Sequence, residues 1–245
     1  MRPIRRGSSP RSGDFSNYAD ALPDLVSRMG PYCSYCERLI PAQLAVEHIQ
    51  PKGLPAYQGL IGRWENFLLA CVNCNSTKKD KDVVLSDVLL PDRDNTFAAY
   101  LYDAGGGLQV SPGLSLIEQK RALATLALVG LQRPGGSVVD ANGRLIALDR
   151  MSQRLEVWLK AQYARDELLP LRPGDAVVIN ALVLLAQSTG FFSVWMEVFR
   201  DDPAICARLI DAFAGTRDSG CFDSQTAAPV QPAPNPDRLP HGGKL

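Results

Sequence analysis

The sequence predicts an α+β fold, in which a small cysteine-clamped subdomain with short strands precedes a mainly α-helical region. Two Cys-x-x-Cys pairs, at residues 33–36 and 71–74, enclose a segment with a strand candidate. From about residue 114 onward, apolar residues recur at helical spacing instead. The chain has 245 residues, of which 46% are hydrophobic, so its length and composition allow a sizeable buried core.

Changes in composition along the chain indicate its organisation. The first residues are rich in Arg, Ser and Gly and are expected to be extended or loosely ordered, and the last are rich in Pro, Ala and Gly. The predicted parts are a basic N-terminal extension with a short helix (1–30), a cysteine-bearing domain (31–103), a helical domain (104–220) and a disordered tail (221–245).

The cysteine-bearing domain is predicted to contain short strands and one helix. Residues 44–46 form a strand candidate that leads into Glu47-His48, and Pro51 ends it. A helix is expected to start near Asn75, just after the second cysteine pair. Residues 96–110 have the pattern of a strand, a glycine turn and a second strand.

The helical region carries apolar residues at intervals of three and four. Cys206 lies in one of these patterns and is expected to be a small core residue. The predicted helix over 175–188 is apolar nearly all round, which is typical of a helix buried in a bundle. The predicted helices span 114–131, 142–168, 175–188, 191–200 and 203–214.

The charge balance excludes a global basic field. The chain has 26 basic and 26 acidic residues, so its formal net charge is zero and any nucleic-acid contact must be local. No apolar run reaches the about 18 residues of a membrane span, and no secretory signal is visible, so a cytoplasmic location is expected. The basic clusters are Arg2, Arg5, Arg6 and Arg11, and Lys78, Lys79 and Lys81.

The two Cys-x-x-Cys pairs predict a structural zinc site. Each pair presents two sulfurs from one tight turn, and two such turns complete a tetrahedral set with no open position. A thioredoxin-like redox motif is the alternative, but it needs only one pair and opens a helix in a βαβ unit. The predicted zinc ligands are Cys33, Cys36, Cys71 and Cys74.

Histidine is scarce in this chain. One of the two histidines is His48, and the other, His241, lies in the Gly- and Pro-rich tail. If imidazole performs acid–base chemistry in this protein, His48 is therefore the candidate group.

The segments CSYC, VEHIQPKG and RWENFLLACVNCNSTKKDK resemble the HNH endonuclease family in its zinc-containing ββα-metal form. The resemblance covers about residues 31–80. Glu47 stands where aspartate is commoner in the family, and Asn75 stands where the final histidine is commoner, which makes this an H-N-N variant. The matching positions are Cys33, Cys36, Glu47, His48, Pro51, Asn66, Cys71, Cys74, Asn75 and Lys78.

The resemblance implies a role for each of these polar residues. His48 would be the general base, and Asn66 would fix the loop and orient His48. Glu47 and Asn75 would hold a catalytic divalent cation, with oxygen donors that favour Mg²⁺ or Mn²⁺. Lys78 would contact substrate phosphates.

The resemblance also implies a function. The chain is similar to HNH nucleases encoded beside an ATPase in retron and Septu-type phage-defence systems. It would then be a DNA endonuclease, with RNA left open as a second substrate, acting in antiphage defence with an ATPase partner. The helical domain, 104–220, is the candidate module for docking a partner. The alternative is a non-catalytic zinc-dependent adaptor for nucleic acid or protein that retains the HNH shell. A homing or restriction nuclease is a weaker reading, since residues 114–220 show no recognition element.

Overall fold

The computed structural model describes residues 1–132 and 149–245, together with the backbone of two short strands between these ranges. It confirms the α+β prediction, with small antiparallel sheets near the cysteine cluster and most helices after it. No helix within these described ranges is long and apolar enough to cross a membrane. The strands are β1 (Ala45–His48), β2 (Phe67–Ala70), β3 (Tyr100–Tyr102), β4 (Leu108–Val110), β5 (Val138–Val139) and β6 (Leu145–Ile146); the α-helices are α1 (Leu22–Met29), α2 (Val72–Lys78), α3 (Leu116–Val129), α4 (Arg150–Tyr163), α5 (Ala176–Thr189), α6 (Phe192–Val198) and α7 (Pro203–Ala212).

Strands β1 and β2 pair antiparallel and are followed directly by α2. The register places Glu47 opposite Leu68 and His48 opposite Phe67. All four residues of β2 are buried, because the strand is covered on both faces. Cys71 begins α2 as its N-cap, since its sulfur accepts the amide hydrogen of Cys74. One hairpin and one helix thus carry most of the polar residues that the sequence singles out.

The helix ends follow recognisable capping signals. Ser115 and Glu118 form a capping box at the start of α3, which ends at Gly130 in the left-handed conformation. The predicted start of the next helix, at residue 142, lies outside the described residues. Asp149 caps the observed α4, and its carboxylate accepts the amide hydrogens of Met151 and Ser152.

Helix α5 differs from the prediction that it is buried on all sides. Val177 is 75% exposed and Leu184 is 65% exposed. Only one face, which includes Leu182 and Ala186, is buried, where the helix packs on α6 and α7. Apolar composition alone therefore overstated the burial, because neighbouring elements cover a single stripe of the helix.

The N-terminal arginines are partly internal, which differs from the expected loosely ordered extension. The Arg2 guanidinium donates to the Thr216 hydroxyl at 2.8 Å and to the Met29 carbonyl at 2.6 Å. The Arg6 guanidinium lies 3.1 Å from the Asp92 carboxylate, and both side chains are buried. These two charges hold the extension against the body and do not form a surface patch.

The final segment, 221–245, is irregular but packed, which corrects the prediction of a disordered tail. Asn95 donates through its side-chain amide to the carbonyls of Cys221 and Val230, each at 2.8 Å. Lys244 forms an ion pair with the buried Asp94 at 3.2 Å. The composition of the tail is typical of disorder, but distant polar partners satisfy its backbone.

The junction between α5 and α6 packs directly on the first cysteine turn. Phe191 donates its amide hydrogen to the Glu37 carbonyl at 2.9 Å. Gly190 has φ of 72°, and an added Cβ would lie 2.6 Å from the same carbonyl oxygen. The Glu37 carboxylate also accepts hydrogen bonds from the amide and hydroxyl of Ser193, at 2.6 and 2.8 Å. The helical region is therefore joined to the cysteine turn by close backbone and side-chain contacts.

Candidate metal centre and active site

The four predicted zinc ligands converge on one point. The Sγ atoms of all four lie within 4.8 Å of one another, and all four residues are buried. The Cys36 and Cys71 sulfurs are 3.7 Å apart. A tetrahedral zinc with bonds of about 2.3 Å places its sulfurs about 3.8 Å apart, so the cluster fits this ion. The converging ligands are Cys33, Cys36, Cys71 and Cys74.

Two arginines supply positive charge to this cluster. Arg150 of α4 donates to the Cys74 sulfur at 3.2 Å and to the Val129 carbonyl at 3.0 Å. The Arg38 guanidinium donates to the Gln153 side chain at 3.3 Å. Burial lowers the pKa of Arg38, but the nearby Cys36 and Cys71 sulfurs raise it by more. Four thiolates carry more negative charge than one zinc ion neutralises, and the arginines offset part of the remainder.

The cysteine side chains also interact with one another. Hydrogen bonds from the other three thiols lower the pKa of Cys71.

His48 is held at the end of β1 in a defined tautomer. Its Nε2 lies 3.0 Å from the carbonyl oxygen of Ile61, which can only accept a hydrogen bond. Nε2 therefore carries the proton, and Nδ1 is the nitrogen with a free lone pair. Phe67 and Tyr18 contact the imidazole edge-on, with ring centroids 5.3 and 4.7 Å away, and leave it 6% exposed.

The surroundings of His48 favour its neutral form. Burial lowers the pKa of His48 below its ordinary value of 6.5, although the hydrogen bond to the Ile61 carbonyl raises it. Lys52 and Lys78 lower the pKa further by charge repulsion. The imidazole is therefore available as a proton acceptor at neutral pH.

Asn66 fastens the loop that follows His48. Its Oδ1 accepts the amide hydrogen of Gln50 at 2.8 Å, and its Nδ2 donates to the Gln50 carbonyl at 2.9 Å. The same Nδ2 reaches the Leu60 carbonyl at 3.3 Å, next to the residue that holds His48. Asn66 thus joins the backbone of Gln50 to that of Leu60 through its side-chain amide.

Glu47 and Lys78 form a buried ion pair. The Lys78 ammonium lies 2.8 Å from Oε1 of Glu47 and donates to the His48 carbonyl at 2.8 Å. Burial raises the pKa of Glu47, and the ammonium opposes that rise. Lys78 is only 1% exposed, so in this arrangement its charge is directed at Glu47 and not at a substrate phosphate. A sequence pattern cannot disclose this pairing, since it depends on how α2 lies against β1.

An open cavity of about 340 Å³ brings several of these residues together. Asn75, half-buried on α2, contributes a side-chain amide without a hydrogen-bond partner in the described part of the chain. Asn66 is not one of the lining residues. The residues that bear on its chemistry are Tyr18, Glu47, His48, Lys52, Asn75 and Lys78.

Sequence reasoning missed two residues of this cavity. Tyr18 belongs to a short 3₁₀ turn, Tyr18–Ala21, in front of α1, and no motif marks it. Lys52 follows Pro51 inside the segment VEHIQPKG, where its proximity to His48 is a signal that could have been used. Both contribute polar groups to the opening beside the imidazole.

Residues 33–81 match the family model described as HNH endonuclease. The match covers the cysteine cluster, the β1–β2 hairpin and α2, and no curated protein matches the chain. This HNH domain indicates a nuclease activity in general, with nucleic acid as substrate, and its cysteine cluster is compatible with structural zinc.

Proposed function

We propose that the protein is a metal-dependent endonuclease that hydrolyses phosphodiester bonds in DNA, with His48 as general base. The observation that carries the proposal is the anchored imidazole: Nε2 is bound to the Ile61 carbonyl, and Nδ1 is left as the base. The same cavity holds Glu47 and Asn75, whose oxygen atoms are suitable ligands for a hard cation.

The chemistry follows from these positions. Nδ1 of His48 accepts a proton from a water molecule whose oxygen attacks phosphorus in line with the 3′ oxygen. The bond between phosphorus and the 3′ oxygen breaks, and the leaving oxygen takes a proton from solvent. The Ile61 carbonyl stabilises the imidazolium through the Nε2 hydrogen. A Mg²⁺ or Mn²⁺ ion, when bound, supplies neutralising charge at the phosphate and the leaving oxygen.

The donor set fits such an ion. Only Oε1 of Glu47 is paired with Lys78, and Oε2 has no hydrogen-bond partner among the described residues. The Asn75 amide oxygen is likewise uncommitted there. Glu47 and Asn75 are therefore the proposed ligands, with Lys78 holding the carboxylate in place. The proposed role of Lys78 thus shifts from substrate contact to positioning.

The biological setting is part of the same proposal. On the resemblance of its sequence segments to HNH nucleases of retron and Septu-type systems, we propose an effector of antiphage defence in the cytoplasm, restrained or delivered by an ATPase partner. RNA is a second candidate substrate. The competing function is an adaptor that keeps the zinc cage and binds nucleic acid or protein without turnover.

A cleavage assay separates the enzyme from the adaptor. Supercoiled plasmid is incubated with zinc-loaded protein in Mg²⁺ or Mn²⁺, beside His48→Ala and Asn75→Ala. Loss of a general base costs about 10²- to 10⁴-fold in rate, so nicking should be lost in His48→Ala and strongly reduced in Asn75→Ala. His241→Ala is the matched control, because it removes the other histidine, which does not line the cavity.

The adaptor predicts another outcome. All four proteins would retain DNA on a native gel, and none would nick it. Because a partner could be needed for activity, the assay is repeated with the proteins encoded by the neighbouring genes before absence of nicking is accepted. Equal nicking by His48→Ala and the parent protein would refute the assigned base.

A further inference from the structure

The burial of Lys78 leaves the substrate side of the cavity without the cation that the sequence predicted there. Its ammonium is committed to Glu47 and to the His48 carbonyl. A phosphate entering the cavity meets exposed lysines instead, and within the described lining these are Lys52 and Lys79.

Lys52 is the better ordered of these two lysines. Its Nζ donates to the Tyr18 hydroxyl at 2.6 Å and lies 4.2 Å from the centroid of the same ring. Lys79 follows α2 as its C-cap with φ of 48°, and its side chain has no partner among the described residues. A cation that is already ordered loses less conformational entropy when it binds a ligand.

Tyr18 connects this lysine to the base. Its ring packs edge-on against the His48 ring at 4.7 Å, while its hydroxyl holds Lys52. Tyr18 lies outside the segment that matches the HNH family, residues 33–81. The N-terminal extension therefore completes one wall of the cavity.

We propose that Lys52 binds a phosphate of the DNA strand in this cavity, and that Tyr18 is a positioning residue that holds both Lys52 and His48. The proposal rests on the proposed nuclease function and adds a substrate contact to it. The ammonium keeps further N–H donors after its bond to Tyr18, and the Tyr18 hydroxyl keeps its own proton. The two residues can thus present several hydrogen-bond donors to one phosphate.

Binding tests the role of Lys52 without cleavage. Affinity for a short labelled duplex is measured over a range of salt concentrations, with zinc-loaded full-length protein carrying His48→Ala. Adding Lys52→Ala should weaken binding roughly fivefold. It should also make the slope of log affinity against log salt shallower by about 0.9, the value for one phosphate contact. Lys52→Arg should restore both, and Lys120→Ala, an exposed lysine outside the cavity, should change neither.

Cleavage kinetics test the role of Tyr18 with His48 intact. Tyr18→Phe keeps the ring against His48 and loses the hydroxyl, so KM should rise as in Lys52→Ala while kcat is retained. Tyr18→Leu removes the ring as well, so kcat should also fall. If kcat fell equally in Tyr18→Phe and Tyr18→Leu, KM stayed unchanged and both melting temperatures dropped, Tyr18 would have only a structural role. That result would refute the positioning of Lys52 by Tyr18.

The failure of this inference can be told from failure of the proposed function. If the parent protein cleaves DNA and Lys52→Ala binds with an unchanged salt slope, Lys52 does not bind phosphate and only the inference is wrong. If the parent protein, with its partner, neither binds nor cleaves, both are wrong.

Discussion

At the scale of single residues, the environment of His48 decides what the imidazole can do. The Ile61 carbonyl accepts the Nε2 hydrogen, and aromatic rings restrict the imidazole. Burial, and then two nearby lysines, lower the pKa of His48 and so disfavour its protonation. The sequence indicated His48 because it is one of only two histidines, but it could not indicate the tautomer. The tautomer depends on the hydrogen bond to the Ile61 carbonyl, and only the folded loop between β1 and β2 places Ile61 next to His48.

The lowered pKa of His48 predicts the pH dependence of cleavage. The imidazole accepts a proton only when neutral, so the rate should fall as pH drops through a midpoint below 6.5, the ordinary value. Single-turnover cleavage is measured across acidic and neutral pH, with the cation saturating at each point. A rate that continues to rise above neutral pH, or a midpoint above 6.5, would contradict the assignment.

At the scale of elements, the loop between β1 and β2 determines the geometry of the proposed base, His48. Asn66 ties Gln50 to the segment near Leu60, and Gln50 and Ile61 lie on opposite sides of that link. The resemblance to the HNH family implies a positioning role for Asn66, which stays a prediction. The partners of Asn66 are backbone groups, so the identity of the partner residues does not reveal these hydrogen bonds in the sequence.

Removing this link should affect stability and catalysis together. In Asn66→Ala, the peptide groups of Gln50 lose both hydrogen bonds, and the free energy of unfolding should fall by about 2 kcal/mol. The cleavage rate should fall while DNA affinity is retained, since Asn66 does not line the cavity. Denaturant unfolding and DNA titration measure the two effects.

Asn73→Ala is the matched control for that change, because Asn73 is exposed on α2. Its effect on the free energy of unfolding should stay within about 0.5 kcal/mol. Wild-type stability and rate in Asn66→Ala would show that the loop keeps its shape without the amide.

Local pattern predicted most elements and misjudged how some of them pack. The β3–β4 hairpin and helices α3, α6 and α7 lie close to their predicted ranges, because turn and capping signals are local in sequence. Three packing features depend on residues that are distant in the sequence. They are the exposure of α5, the burial of Arg6 and the packing of the final segment, 221–245. Composition contains no information about which partner an element meets.

At the scale of the whole molecule, the cysteine cluster is a contact point between the two halves of the chain. Arg150 of α4 joins the Cys74 sulfur to the end of α3 through the carbonyls of Val129 and Gly130. The spacing of the cysteines predicted the cluster itself. It could not predict that the helical region supplies a cation to it.

Removal of zinc should therefore loosen more than the HNH domain. Complete chelation leaves four buried thiols without a cation, so residues 33–81 should unfold, and α4 should lose its link through Arg150. Far-ultraviolet circular dichroism and the melting temperature, both followed against metal content, measure the loss. Unchanged helix signal after full removal would refute the structural role of zinc.

Cysteine variants supply the control for this experiment. Cys74→Ser should lose stoichiometric zinc and behave like the chelated protein. The Cys206→Ala protein should still bind stoichiometric zinc, because Cys206 is a buried core residue outside the cluster. Its thiol donates a hydrogen bond to the Phe199 carbonyl at 3.1 Å.

Glu37, the residue directly after Cys36, accepts hydrogen bonds from Ser193 in the first turn of α6. Its carboxylate is shared between the Met1 ammonium, at 3.0 Å, and the amide and hydroxyl of Ser193. A fragment spanning only 31–103 would retain every sulfur ligand and the Tyr102 hydroxyl, which donates to the Glu37 carboxylate at 3.0 Å. It would lose the Met1 ammonium and Ser193, which supply the other partners of this carboxylate. Replacing the helical region with an unrelated one would remove the Ser193 donors that bind Glu37, so we expect residues 31–103 to transfer poorly to another protein.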